Sequence, residues 1–150
     1  MTDRFEKLTT GVSRIYKKIQ KIKKHEMNAL GLKGTQVMCI YYLASNPGGL
    51  TAADLCTKCN EDKAAISRVL AELEIEGFLS YEQESSCKKY RSKVILTHKG
   101  NAYAKQINDS ILQITEMSGA GITDKEREIF YRVLMIIADN IDEIERKLSK

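Results

Sequence analysis

The stretch Leu50–Glu82, LTAADLCTKCNEDKAAISRVLAELEIEGFLSYE, carries the clearest signals of secondary structure in this chain. Thr51 predicts the start of a short helix, because its hydroxyl can cap the first turn and Asp54 stands at the capping-box position. That helix ends near Asn60, a residue type that tolerates the left-handed conformation of a tight turn. A second helix follows and ends at Gly77. A short helix, a turn and a second helix are the arrangement of a helix-turn-helix.

The second helix has two faces of different chemistry. One face is apolar and predicts docking on a core, with Ile66, Val69, Leu70 and Leu73 at helical spacing. The other face combines short side chains with positive charge, and consists of Lys63, Ala64, Ala65, Ser67 and Arg68. Small side chains let a helix approach base edges, and the cations suit phosphate or guanine contacts. The alternative is a plain surface helix, on which Ala and Ser are ordinary.

A basic hairpin is predicted after this helix. The runs FLSYEQ and KVILT are typical of strands, and the polar segment 84–92 between them predicts a loop. In and beside this loop four cationic residues surround a tyrosine, namely Lys88, Lys89, Tyr90, Arg91 and Lys93. Fixed cations on a projecting loop can contact a phosphate backbone or a narrow minor groove. The order of elements is that of a winged helix-turn-helix.

Both ends of the chain predict long helices with narrow apolar seams. The N-terminal seam consists of Phe5, Leu8, Val12, Ile15, Ile19 and Ile22. The C-terminal seam follows a capping box at Thr123 and Glu126, and consists of Phe130, Val133, Ile137, Ile141, Ile144 and Leu148. Such helices could form a bundle within one chain or interleave with a second copy, and the narrow stripe favours a homodimer. The predicted fold class is mainly α with a small β-hairpin wing, a winged helix-turn-helix domain flanked by long N- and C-terminal dimerisation helices.

Length and composition are those of one globular domain. The chain has 150 residues, 43% of them apolar, and a net charge of +4. Positive charge is concentrated in segments 14–24 and 87–93, although either cluster could be a solvated face. No apolar run is long enough to span a membrane, and the N-terminus lacks the order of a signal peptide. We therefore expect a cytoplasmic location and no membrane partner.

The four cysteines are expected to be reduced thiols in that compartment. Cys56 and Cys59 would share one side of the short helix, which suggests a redox pair or a metal site. The spacing also fits an apolar stripe with Ala52 and Leu55, and this interpretation is favoured because a buried Cys behaves as a small hydrophobe.

No metal or other cofactor is predicted, because a zinc site needs four ligands and the only histidines, His25 and His98, are distant in sequence. Cys87 precedes two lysines that would lower a thiolate pKa, so it is either a reactive thiol or an incidental surface cysteine. An enzyme is not predicted, since the sequence has no Gly-rich phosphate loop and no His close to paired carboxylates.

These motifs resemble the MarR family of bacterial transcriptional regulators. That family combines a D-(K/R)-x-x-(V/I)-(S/T)-R helix with an L-T-x-K-G strand end. The matching residues are Asp62, Lys63, Ile66, Ser67 and Arg68, then Leu96, Thr97, Lys99 and Gly100. The resemblance covers essentially the whole chain and implies one MarR-like domain over 1–150. Its dimerisation helices would be at about 1–30 and 101–150, and its winged helix-turn-helix at about 32–100.

The resemblance implies a homodimer that presents two recognition helices to a pseudo-palindromic duplex, with half-sites roughly 34 Å apart or a multiple of it. Carried over by position, Lys63, Ala64, Ala65, Ser67 and Arg68 would read or approach bases. Thr35 would donate to a phosphate from a helix N-terminus. Lys88, Lys89, Tyr90, Arg91 and Lys93 would be the wing contacts.

Three positions depart from the family pattern. An Asp-x-Arg pair braces the wing in many members, and Lys88 and Tyr90 stand at those positions here, which puts that mechanism in doubt. Glu61 stands where an apolar residue is usual, so the turn is more exposed or the acid belongs to the helix cap.

The functional hypothesis is a repressor whose operator affinity is set by a small-molecule effector. The effector would bind between the terminal helices and the winged domain, at Tyr16, Met38, Tyr41 and Tyr42, although aromatic residues at helical spacing are more often core. The alternatives are a winged-helix protein-interaction module without specific DNA binding and a thiol-based redox regulator.

Overall fold

The computed structural model describes residues 2–82 and 91–150. In these ranges it is mainly helical with a two-stranded antiparallel sheet, which confirms the predicted fold class. The elements are α1 (Thr2–Leu30), α2 (Gly34–Ala44), α3 (Ala52–Cys59), α4 (Lys63–Ile75), β1 (Leu79–Tyr81), β2 (Val94–Leu96), α5 (His98–Ser118) and α6 (Asp124–Leu148). The chain divides into two compact units, Met1–Ser110 and Ile111–Lys150, which are described separately.

The helix-turn-helix begins and ends where the local sequence signals predict. Thr51 Oγ1 accepts a hydrogen bond from the Asp54 backbone N–H at 3.1 Å, and the Asp54 carboxylate accepts one from the Thr51 backbone N–H at 2.9 Å. These contacts lower the pKa of Asp54, the backbone hydrogen bond most of all. Asn60 has a φ of 52°, so it adopts the left-handed conformation that turns the chain from α3 into α4. Gly77, at φ 80°, follows the end of α4.

The core of the first unit lies between α2, α3 and α4 and the small sheet. Its fully buried side chains are almost all aliphatic, and the largest are Ile40, Leu55, Ile66, Leu70, Leu73, Val94 and Cys39. Ile66, Leu70 and Leu73 are the apolar face predicted for α4, and Val69 beside them is half-buried. Burying such side chains stabilises the fold by about 1.5–3 kcal/mol each. The same burial fixes which face of α4 points outward.

The sheet is shorter than the two predicted strands. β1 pairs with β2 in the register Leu79↔Leu96, Ser80↔Ile95 and Tyr81↔Val94. An isolated bridge joins Leu50 to Val94, with a hydrogen bond from the Val94 N–H to the Leu50 carbonyl of 2.7 Å. The backbone before α3 therefore lies directly beside the wing strand. Most of the predicted hairpin loop lies outside the described residues.

The base of the wing is clamped to the end of α4 by the sequence LTHKG. The Thr97 hydroxyl donates to the Gly77 carbonyl at 2.6 Å, and the Lys99 ammonium donates to the Glu76 carbonyl at 2.7 Å. The Thr97 hydroxyl also caps α5, because it accepts from the Gly100 N–H at 3.1 Å. Gly100 allows the first turn of α5 to lie against the Phe78 backbone, since a Cβ at Gly100 would overlap the Phe78 carbonyl oxygen. This motif therefore sets where the wing stands relative to α4.

Long seams of apolar side chains are exposed on the terminal helices. In α1 the N-terminal seam is solvent-accessible along its length, from Phe5 at 71% to Ile22 at 40%. In the second unit α6 begins at the predicted capping box, where Thr123 Oγ1 accepts from the Glu126 N–H at 3.3 Å. None of its side chains is buried, and Ile141 and Ile144 are 52% and 55% exposed. Each of these two helices therefore exposes a row of large apolar side chains.

Candidate nucleic-acid interface

The exposed face of α4 is slim and cationic. Lys63, Ala64, Ser67 and Arg68 are exposed, and Ala65 is half-buried. Ala and Ser side chains end within about one or two bonds of the backbone, so any flat partner can come close to the helix axis on this face. The two cations on either side of them add positive charge at its border. The major groove of DNA admits an α-helix, and a face of small and cationic side chains is suited to that approach.

The N-terminus of α4 is fixed by Asp62. Its carboxylate accepts a hydrogen bond of 2.7 Å from the Ala65 N–H, which satisfies one of the free donors of the first turn. Glu61 beside it is exposed, and the cap belongs to Asp62 rather than to Glu61. This cap makes α4 begin at Lys63, and it thereby fixes the positions of Lys63 and Ala64 at the start of the helix.

A buried glutamine ties α4 to the start of α2. Gln36 is only 3% exposed, and its amide donates to the Glu72 carboxylate at 2.9 Å. Its carbonyl oxygen accepts from the Lys33 backbone N–H at 2.9 Å. The Lys33 ammonium lies 3.8 Å from the same carboxylate, although such an exposed pair adds little stability. The Gln36–Glu72 hydrogen bond, which joins residues 36 positions apart, therefore sets the orientation of α4 on α2.

Thr35 lies in the first turn of α2 and is half-buried. A helix N-terminus presents backbone N–H groups and the positive end of the helix dipole, which suits an anion such as a phosphate. The structure thus puts Thr35 at the kind of position that was predicted, while its role stays a prediction.

The described part of the wing contributes two exposed cations. Arg91 and Lys93 are both exposed, and the Lys93 carbonyl accepts from the Glu82 N–H at 2.9 Å. That backbone pair keeps the two strands together just beyond β1 and β2. The other predicted wing contacts, Lys88, Lys89 and Tyr90, lie outside the described residues, as does the thiol of Cys87.

The residues predicted to line an effector pocket fall in two places. Met38, Tyr41 and Tyr42 are half-buried on α2, and the two tyrosine rings make an edge contact with centroids 5.3 Å apart. Partial burial raises the pKa of Tyr42, and the Lys58 ammonium lies 5.6 Å from its ring centroid. Tyr16 is 62% exposed and lines an open groove along α1 whose lining residues all belong to that helix. The α2 residues form one cluster, and Tyr16 stands in a separate surface groove.

Two contacts that position α4, the Asp62 cap and the Gln36–Glu72 hydrogen bond, involve none of the predicted site residues other than Ala65. Asp62 carried a signal, because an Asp immediately before a helical apolar pattern is a preferred N-cap. The contact between Gln36 and Glu72 carried none, since it joins residues far apart in the chain and neither spacing nor composition reports it.

The described residues contain neither a metal-binding cluster nor a membrane helix. Across residues 2–82 and 91–150 no three His, Cys, Asp or Glu side chains come together as a metal site. No helix in the same part of the chain is long and apolar enough to cross a bilayer.

Comparison with known proteins gives a family match over the helix-turn-helix. The model of the MarR family matches residues 30–86, which include α2, α3, α4 and β1. No curated protein matches the chain by sequence. A MarR family transcriptional regulator from Silicibacter pomeroyi is 25% identical, with a TM-score of 0.74 over 87% of this chain and 86% of that one.

Two more distant structures share the fold over nearly the same length. A MarR family regulator from Neisseria meningitidis is 21% identical, with a TM-score of 0.77 over 94% of this chain and 97% of that one. A putative MarR family transcriptional regulator from Listeria monocytogenes, solved with a 26mer DNA, is 21% identical with a TM-score of 0.79 over 90% and 89% of the two chains. The predicted resemblance is confirmed by the family match and by the shared winged-helix fold. Residues 30–86 of this chain thus match the MarR family, and the chain shares its fold with MarR family transcriptional regulators of known structure.

Proposed function

We propose that this protein is a homodimer that binds a pseudo-palindromic operator in duplex DNA and represses transcription there. Each copy would place α4 in a major groove, with Lys63, Ala64, Ala65, Ser67 and Arg68 at or near the bases. Arg91 and Lys93 would contact the backbone beside the groove, together with Lys88, Lys89 and Tyr90, and Thr35 would donate to a phosphate.

The single observation that supports this proposal best is the outward face of α4. A helix docked by buried Ile66, Leu70 and Leu73 presents only small or cationic side chains on its exposed side near its start. A surface helix of ordinary composition would carry acids there as well, and acids would repel phosphates. The relative from Listeria monocytogenes was solved with DNA, which supports the same mode of binding for this chain.

The exposed seams support the homodimer. Monomeric proteins rarely expose a long contiguous apolar stripe, and such stripes are typical of helices that pair. An isologous dimer would cover the seams of both copies in its interface, and its two α4 helices would be related by a two-fold axis. Two recognition helices related in this way match a pseudo-palindromic site.

Repression and control by a small molecule complete the proposal. A dimer that covers a promoter needs only to occupy the DNA to block its use. An effector would act by binding one conformation of the dimer better than the other, which changes the separation of the two α4 helices. The half-buried cluster of Met38, Tyr41 and Tyr42 offers an aromatic surface for an apolar ligand, and Tyr16 of α1 would join it only if the effector reaches both places.

The DNA proposal can be tested at Arg68. Fragments bound by the purified protein would first be selected from the source genome, and the affinity for the selected site and for single-base variants would then be measured. Arg68→Ala should cost about 1–3 kcal/mol at the selected site and should reduce the discrimination against the wrong base. Arg4→Ala is the matched control, because it removes the same exposed side chain from α1.

The outcomes separate this function from its main rival. A winged-helix module that binds a protein partner through α4 would select no fragments and would show no salt-sensitive retardation of DNA. If Arg68→Ala and Arg4→Ala lowered the affinity for the selected site by the same factor, α4 could not be assigned as the reading helix.

A further inference from the structure

Two cysteines from different helices meet beside the turn of the helix-turn-helix. Cys39 lies on α2 and is fully buried, whereas Cys59 is the last residue of α3 and is half-buried. Their sulfur atoms are 3.9 Å apart, and all the cysteines in the described part of the chain are free thiols. Sequence spacing pointed instead to Cys56 and Cys59, but the structure brings Cys59 against a residue 20 positions away.

The two thiols are chemically unequal. The Cys39 S–H can donate to the Cys59 sulfur, and this hydrogen bond lowers the pKa of Cys59. The same hydrogen bond and burial raise the pKa of Cys39. Cys59 is also the one that solvent reaches. A small oxidant would therefore meet the more acidic and more accessible sulfur first, with a second thiol already in contact behind it.

We propose that Cys39 and Cys59 form a peroxide-sensitive dithiol, which closes into a disulfide between α2 and α3 and weakens operator binding. The formation of the disulfide stands on the geometry of the two sulfurs alone. Its effect on operator binding rests on the proposed function.

The chemistry needs one molecule of hydrogen peroxide as oxidant. The Cys59 thiolate attacks one peroxide oxygen, the O–O bond breaks, and the departing hydroxide takes the proton that Cys59 released, which leaves a sulfenic acid and one water. The Cys39 sulfur then attacks the Cys59 sulfur and the S–O bond breaks. The departing hydroxide takes the Cys39 proton as a second water. The two thiols lose two electrons and two protons, and the peroxide is reduced to two waters.

The disulfide would act directly on the recognition helix. A disulfide bond is about 2.05 Å long, so the two sulfurs must approach by about 2 Å from their reduced separation of 3.9 Å. Cys59 is followed at once by Asn60, and the Glu61 N–H is bonded to the Cys56 carbonyl at 3.1 Å. A displacement of Cys59 at the end of α3 is therefore expected to move Asp62, the N-cap of α4, which lies only three residues later in the chain. Base contacts tolerate only small changes in hydrogen-bond geometry, so the oxidised form should bind less tightly.

Peptide mapping tests the disulfide without any DNA. Trypsin cleaves after Lys33, Lys58 and Lys63, so Cys39 lies on peptide 34–58 and Cys59 on peptide 59–63. Peptide 34–58 also contains Cys56, and the Cys56→Ser variant removes that ambiguity. After treatment with hydrogen peroxide and alkylation of free thiols, mass spectrometry should find 34–58 joined to 59–63 in this variant. Cys59→Ser is the matched control, because both positions are half-buried on α3, and it should give no such link.

Two results would overturn the disulfide. One is the absence of the link from oxidised Cys56→Ser protein. The other is an undiminished link in Cys39→Ala protein, which would mean that Cys56 is the partner of Cys59.

The regulatory half is tested on the selected DNA site, with reduced and oxidised protein compared. Peroxide should weaken binding roughly tenfold or more in the Cys56→Ser protein and leave the Cys59→Ser protein unchanged. Treatment with dithiothreitol should return the original affinity. An oxidised protein that carries the link but binds with unchanged affinity would refute control by this dithiol. A reduced protein that binds no DNA would instead refute the proposed function while the peptide link still formed.

Discussion

Gly100 has a structural role that its place in the sequence LTHKG does not reveal. It allows the start of α5 to lie against the Phe78 backbone, where a Cβ would overlap the Phe78 carbonyl oxygen and approach Leu96 to 3.1 Å. Thr97 and Lys99 bond to the carbonyls of Gly77 and Glu76 in the same turn. These three residues of the motif thus hold the wing base, and none of them is needed for DNA contact in the proposed mode.

Gly100→Ala should therefore destabilise the protein. The overlap forces a backbone shift, which costs about 1–3 kcal/mol. Gly48→Ala is the control, because a Cβ at that position meets no atom within 4 Å and should change stability by less than about 0.5 kcal/mol. Urea unfolding monitored by circular dichroism measures both. Equal stability of the two variants would show that the wing base can adjust without cost.

The Asp62 side chain should contribute to stability as the N-cap of α4. Asp62→Ala removes the side-chain acceptor of the Ala65 N–H, so we expect a decrease of about 0.5–2 kcal/mol in the free energy of unfolding. Asp62→Asn retains an oxygen that can accept this bond and should stay within a few tenths of a kcal/mol of the original protein. If alanine and asparagine behave alike, the 2.7 Å hydrogen bond contributes nothing to the helix start.

Helices and turns could be predicted from the sequence wherever their cause is local. Capping at Thr51 and Thr123, the left-handed Asn60 and the apolar face of α4 all follow from residues within one or two turns of each other. Contacts between elements could not be predicted in this way. The Gln36–Glu72 hydrogen bond and the Cys39–Cys59 contact depend on how α2 meets α4 and α3, and periodicity within one helix carries no information on that.

The C-terminal seam on α6 is predicted to lie in the dimer interface. Ile141 is 52% exposed in the single chain and would be buried in a homodimer, so Ile141→Lys should place a charge in the interface. About half of this side chain is left for a partner to cover, so its removal from both copies takes away about 1.5–3 kcal/mol of apolar burial, or about one to two orders of magnitude in the dimer dissociation constant. The cost of burying the lysine charge adds to that loss. Light scattering after gel filtration should show a mass near 17.0 kDa for the variant and twice that for the original protein.

Ile75→Lys is the control for that variant. Ile75 is 86% exposed at the end of α4 and is not part of either seam, so the same substitution there should leave the mass unchanged. An original protein of 17.0 kDa, or a dimer that persists in Ile141→Lys, would contradict the role of the seam.

The proposed organisation assigns two tasks to different parts of one chain. The winged helix-turn-helix at about 32–100 would bind DNA, and the helices at about 1–30 and 101–150 would join two copies. The separation of tasks explains the composition, since apolar residues are exposed on α1 and α6 while small and cationic residues are exposed on α4. In the proposed complex a second copy would cover the apolar seams of α1 and α6, and a DNA duplex would contact the small and cationic face of α4.

The salt dependence of DNA affinity distinguishes a DNA-binding dimer from a protein that neutralises no phosphates. Fluorescence anisotropy with a labelled duplex of the selected site would give the dissociation constant over a range of KCl concentrations. We predict a steep linear fall of log affinity with log salt, and a slope smaller by about 0.9 for each phosphate that Arg91→Ala/Lys93→Ala protein no longer neutralises. The charge-matched control Arg4→Ala/Lys105→Ala should keep the original slope. Affinity that is negligible at low salt, or that does not respond to salt, would contradict the assignment of this protein as a DNA-binding dimer.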